Sequence, residues 1–319
     1  MTRRHPHTAL AGIALAFTLA VGVPPPAVAA DAPARHFATP EAAIDALLEA
    51  SREHKAGALE PLIGKDGESL FHSHDPVADQ HGHSRFSTAY DQAHHLEFET
   101  PARAILVVGT EEWPMPVPLE HTKDGWQFDV RAGAQEILNR RLGRNELDVI
   151  EVCREFVLAE HEYAAMHAAG APAQFARYLI SHASQHDGLY WPAGAAGSPK
   201  SPLGPLVAAA AVGEDDATHA KPQPYHGYFF RVLTQQGRHA PGGAQNYLVD
   251  GHLTGGFALL AYPARYGETG VMSFLVSQSG IVREKNLGPD TAEVVRPLDA
   301  YDPDSSWRAA RPIVRTAKP

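Results

Sequence analysis

The stretch from Asn145 to Gly170, NELDVIEVCREFVLAEHEYAAMHAAG, constrains the fold more than any other. Leu147, Ile150, Cys153 and Val157 recur at helical spacing, and Val149, Val152 and Phe156 widen them into a core-sized apolar stripe. Asn145 is a good N-cap, Gly170 a good stop, and Pro172 follows. Gly143 breaks this helix from a shorter one over Ala134 to Arg141. A Gly/Pro/Ala/Ser-rich stretch then leads from Gly188 to about Gln223. Four strand candidates follow, Tyr228–Thr234, Gly256–Tyr262, Val271–Ser277 and Ile281–Asn286, with Ser279-Gly280 as a tight turn. One long helix before an antiparallel sheet is the layout of a pilin or pseudopilin globular domain, expected over residues 132–310.

Ahead of it, residues 36–131 read as a smaller α+β unit. Thr39-Pro40-Glu41 starts a helix with a cap, a first-turn proline and an acid at the N-terminal dipole. A second helix is expected over Ser84 to His95. Three strands then follow, Ala102–Val108, Met115–Glu120 and Gly125–Val130, with Lys123-Asp124-Gly125 as a hairpin turn. Helices before a meander resemble the cone-shaped fold of the nuclear-transport-factor-2 superfamily, an analogy that carries no activity. The fold class is therefore α+β, with two domains.

The N-terminus reads as a cleaved secretory signal, residues 1–30. Arg3 and Arg4 precede a short apolar run, three prolines break it, and Ala27-Val28-Ala29 supplies the small residues of a cleavage site. No later segment is apolar enough to insert in a membrane once the signal is gone. The formal charge is −10, and two units more negative once Arg3 and Arg4 are cleaved, which argues against nucleic acid as a partner. The single cysteine, Cys153, makes no internal disulfide, so a periplasmic or secreted fold must rest on its core.

Several separated stretches form a family signature. They are Arg140-Arg141-Leu142-Gly143-Arg144-Asn145-Glu146-Leu147, His186-Asp187-Gly188-Leu189-Tyr190-Trp191-Pro192, Ser201-Pro202-Leu203-Gly204-Pro205-Leu206 and Pro224-Tyr225-His226-Gly227-Tyr228-Phe229-Phe230-Arg231. Ala240-Pro241-Gly242-Gly243-Ala244, Leu287-Gly288-Pro289-Asp290-Thr291-Ala292 and Tyr301-Asp302-Pro303-Asp304 complete the set. Together they resemble the bacterial exported family called Domain of Unknown Function 2950, from Phe37 to about Trp307. The resemblance implies an exported bacterial protein and carries no reaction with it. The family's usual pattern around Asp75-Pro76-Val77-Ala78-Asp79 is acidic and polar, without the histidines that crowd this chain.

Those histidines, His72, His74, His81 and His83, are the candidate metal ligands, for zinc or copper. A site needs three or four donors within about 2.0–2.3 Å of the ion. Pro76 and Gly82 mark the segment as a loop rather than a strand, and the family supplies no such site, so the expectation is a polar loop and no cofactor. His161 and His167 are six apart, about 240° around a helix, and do not make a His-Glu-x-x-His zinc site. No Gly-x-Ser-x-Gly elbow or phosphate-binding glycine loop is present.

The remaining candidates are Asp187, Tyr190, Trp191, Tyr225, His226 and Arg231, types that line a recognition pocket or brace a fold. The leading expectation is a non-enzymatic interaction or assembly protein of the cell envelope, its partner an envelope protein or polymer. The alternatives are binding or hydrolysis of an envelope polymer near Tyr190, Trp191 and His226, and periplasmic metal handling.

Overall fold

The computed structural model describes residues 35–53, 58–68, 70, 76–167, 173–183, 185–193, 199–212 and 222–310. The stretch expected to be a secretory signal, residues 1–30, lies outside them, as do His72 and His74. The first part of the chain forms α1 (Pro40–Glu53), α2 (Glu60–Glu68) and α3 (Pro76–Gln92). It continues as β1 (His94–Thr100), β2 (Arg103–Val108), β3 (Trp113–Pro114), β4 (Leu119–Thr122) and β5 (Gly125–Phe128). Successive hairpins give the antiparallel order β1-β2-β4-β5, with β3 also on β2. The Lys123-Asp124 turn closes β4 on β5 as expected, Thr122 facing Gly125. Ile44, Leu47, Leu106, Leu119 and Phe128 are among the side chains of the core under this sheet. Full burial of each contributes about 1.5–3 kcal/mol.

Two expectations are corrected in this part. The third helix begins at Pro76 and ends at Gln92, not at Ser84 and His95. Proline at the first helical position needs no N–H partner, so it starts the helix instead of marking a loop. His94 and His95 open β1 instead of closing a helix. That strand is exposed along most of its length, so no buried alternation marks it.

The expected break at Gly143 is absent. A single 37-residue helix, α4 (Val130–Met166), runs from the Asp129 cap, whose side chain accepts from Ala132 N, to His167. It is about 55 Å long. A glycine inside a helix costs about 1 kcal/mol, less than packing on both sides supplies. Arg140 Nη1 donates to Pro114 O beside the first sheet, and Arg141 Nη2 to Glu268 O beside the second. Asn145 is no cap: it donates to Thr269 O at 2.9 Å. Leu147, expected on the apolar face, is half exposed, while Ile150, Cys153 and Val157 are buried as expected.

Beyond α4 lie β6 (Tyr178–Ile180), β7 (Gly188–Tyr190), α5 (Pro205–Ala208), β8 (Tyr228–Leu233), β9 (Gln235–Gln236), β10 (Gln245–Asn246), β11 (Leu248–Val249) and β12 (His252–Leu253). They are followed by β13 (Ala258–Pro263), β14 (Met272–Ser277), β15 (Arg283–Asn286), α6 (Thr291–Val295), β16 (Ala300–Tyr301) and β17 (Arg308–Ala309). The main sheet is antiparallel, in the order β17-β15-β14-β13-β8. Its four longer strands are the expected ones, shifted by a residue or two. The apolar stripe of α4 joins it in a second core with Phe156, Phe230, Phe257 and Phe274. The protein is thus α+β, as expected. Among the described residues no helix is long and apolar enough to cross a membrane.

Candidate functional site

The six sequence-predicted site residues do not converge on one pocket. Tyr225 and His226 stand at the turn into β8. Tyr225 and Tyr228 exchange both backbone hydrogen bonds, with His226 and Gly227 at positive φ, 48° and 75°. This is a two-residue hairpin turn of the kind that Asn-Gly favours. His226 Nδ1 lies 3.0 Å from Asp148 Oδ2 on α4, which ties the turn to the helix. Trp191 is a core residue. Its indole N–H donates to Pro199 O, and the His186 ring stacks on it at 4.5 Å. Tyr190 packs against the same core. Arg231 donates to the carbonyls of Val295, Arg296 and Leu298 at the end of α6, where a cation suits the helix dipole. Its half-burial lowers its pKa from the ordinary arginine value.

Asp187 closes the loop between the parallel strands β6 and β7. Its Oδ1 accepts from His182 N and its Oδ2 meets His182 Nδ1, both at 2.8 Å. The loop is pinned elsewhere too. Ser181 Oγ bonds both the N–H and the carbonyl of Gly188, and Tyr163 donates to His186 O. A Cβ on Gly188 would stand 2.6 Å from the Ile180 carbonyl carbon, so only glycine fits there.

Of the four metal candidates, two fall within the described residues. His81 and His83 lie on α3, two positions apart in the chain. His72 and His74 lie outside the described residues. Among the described residues no group of three or more His, Cys, Asp or Glu is placed to hold a metal ion. His161 instead packs edge-on against Phe175 and Phe257, and His167 stacks on Tyr163. Cys153 is fully buried, and burial pushes its thiol up to about 12, which keeps it in the unreactive form.

Three recesses stand out among the described residues. One, of about 520 Å³, opens over the first core, with an apolar wall that includes Leu47, Phe86 and Met115. The second, of about 380 Å³, runs between α4 and the segment 202–207, and Tyr225 lines it. Leu158 and Leu206 line it too and are 68% and 64% exposed. Glu155 and Glu162 flank Leu158 at helical spacing and bring negative charge to the apolar floor. The third, of about 350 Å³, is polar and lies beside the Asp187 loop. Sequence reasoning missed Leu158, Leu206, Glu155 and Glu162. The available signal was a leucine set between two glutamates, outside the apolar stripe of its helix.

Burial also isolates Glu160. It is fully buried on α4, Oε2 accepts from Ala176 N at 2.8 Å, and Oε1 has no partner among the described residues. Desolvation raises its pKa well above the carboxylate range, more than the Ala176 N–H lowers it, so the carboxyl favours its neutral form.

Fold and site together define an α+β protein with grooves between a long helix, its loops and a sheet. The chain belongs to the family described as "Protein of unknown function (DUF2950)", whose model matches residues 34–310. No curated protein and no solved structure matches it.

Proposed function

We propose that this is an exported cell-envelope protein that works by holding a partner protein, in the recess between α4 and segment 202–207. The observation that carries this reading is the exposure of Leu158 and Leu206 around a concave, acidic-rimmed floor. Large apolar side chains so exposed, and clustered in a recess with an aromatic, favour contact with another surface. The partner segment would bring apolar side chains for the floor and lysine or arginine for Glu155 and Glu162. The engagement of Trp191, Arg231 and Asp187 in bracing the fold supports contact over catalysis. The leader-like N-terminus supports export to the periplasm or medium. The laying of α4 on the second sheet supports the pilin-like comparison, and the α+β unit ahead of α4 favours an adaptor over a filament subunit.

A photo-crosslinking residue at position 206, in protein exported by a bacterial host, identifies the partner. Calorimetry with the purified pair then measures the contact. Leu158→Asp with Leu206→Asp is expected to weaken binding at least about thirtyfold, as truncating an interface hot spot does. Glu155→Gln with Glu162→Gln is expected to flatten the salt dependence. Unchanged affinity in the leucine variant would sink the reading.

A further inference from the structure

We propose that the third recess is a binding site for an acidic glycan, a pyranose chain bearing carboxylates. The site stands apart from the partner-binding recess and does not depend on it.

Its wall carries the groups that such a ligand needs. Arg177 is half-buried, and its guanidinium lies 5.1 Å from the centroid of the Tyr178 ring. Arg177 has no ion-pair partner among the described residues, although the chain is acidic overall. The acid in the same wall, Asp187, makes no ion pair with it. Asp187 spends one oxygen on the His182 backbone N–H and the other on the His182 ring. That pairing holds His182 by Nδ1 and leaves Nε2 as the ring's other hydrogen-bonding nitrogen. Gln174 and Gln185 add two amides to the wall, each both donor and acceptor, and His252 adds a further imidazole. A guanidinium recognises a carboxylate through paired N–H donors, and amides and imidazoles suit sugar hydroxyls.

The recess is built in advance of any ligand. The bonds that pin Ser181, His182, Asp187 and Gly188 fix the loop that carries His182 and Gln185, so little ordering is needed on binding. A sugar-cleaving site would want two carboxylates at the bond, and here a single one is present and already bonded. The chemistry therefore favours holding an acidic sugar over cutting it.

The test is calorimetric titration of the mature protein with oligogalacturonate, the matching neutral galacto-oligosaccharide, and inorganic phosphate. The acidic oligosaccharide is expected to bind at one site, at least about tenfold more tightly than either control. Arg177→Gln is expected to weaken it at least about tenfold, and His182→Gln to weaken it less. Leu158→Asp with Leu206→Asp is expected to leave it unchanged, which separates this site from the partner recess. Equal binding of the neutral sugar, equal binding of phosphate, or no effect of Arg177→Gln in a protein with wild-type circular dichroism would each overturn the proposal. Undetectable binding of the acidic oligosaccharide would overturn it as well.

Discussion

The two cores of this protein are held in different ways. The first is mostly apolar: among its described residues Ser51 is the only polar residue buried as a whole. Its sheet grows by neighbouring hairpins, so turns and apolar alternation account for most of it. The second buries Glu160, Gln236, Ser273, Ser277 and Thr291. It uses polar side chains as long-range ties. Glu146 accepts from Val271 N and Met272 N, and Tyr228 donates to Met272 O. Gln236 donates to Pro241 O and Gly243 O and accepts from Tyr247. Asp302 takes the ring and the backbone N–H of His239. Many of the strands here are two residues long and contribute few ladder bonds, so side chains must satisfy the loop backbone. A carboxylate or amide can do so only where the apolar packing brings it, and for that reason these ties span up to 126 residues of chain.

The sharpest way to break that contrast is to damage one core and watch the other. Phe156→Ala removes a fully buried ring in edge contact with Phe257, and is expected to cost about 3–5 kcal/mol. Hydrogen exchange should show protection falling in β13 and β14 more than in β1 and β2. Equal loss in both sheets would mean that α4 makes them one cooperative unit.

Glu160 tests whether the polar ties matter in their own right. Glu160→Ala leaves Ala176 N without its acceptor and is expected to cost about 1–3 kcal/mol. Glu160→Gln keeps an oxygen for that bond and removes the titration. Because burial raises the carboxyl's folded pKa, the folded state holds a proton that the unfolded chain has released. The wild type's contribution from this group is therefore complete below the ordinary carboxyl value of 4.5 and declines as pH rises through the raised value. Denaturation curves across pH should show that decline in the wild type relative to Glu160→Gln. A constant difference between the two would mean that the carboxyl is not the source.

The smallest expected effect lies where the two regions join. Gly143 has a helical backbone and open space around its Cβ position. Gly143→Ala is expected to stabilise the protein by about 0.5–1 kcal/mol in denaturant melts, as an unbroken helix requires. A loss of stability would reinstate a bend at this residue.

Much of the fold was legible because periodicity is a local property. The stripe through Ile150, Cys153 and Val157, the four longer strands of the second sheet and the Lys123-Asp124 turn all carry their own signal. The Gly143 break and the loop reading from Pro76 to His83 were misread because glycine and proline punctuate only in the absence of tertiary support. Proline suits a first helical turn, and packing on two sides outweighs one glycine. The candidate site was harder to read. His226 looked chemical because imidazoles often are, yet it occupies a left-handed turn position beside Gly227, and a His-Gly pair between two tyrosines was the signal for it.

By itself, then, the sequence determined the α+β class, the place of the long helix and membership in its family, because each rests on residue types at short, regular spacing. Which polar residues are structural and which face a recess was decided only by the tertiary structure. Trp191 and Arg231 became braces, Glu160 a buried acid, and Arg177, Leu158 and Leu206 the walls of two unlike recesses. The physical reason is that burial and pairing depend on partners far along the chain. The same arginine is a helix cap at position 231 and an open guanidinium at position 177, according to what folding sets against it.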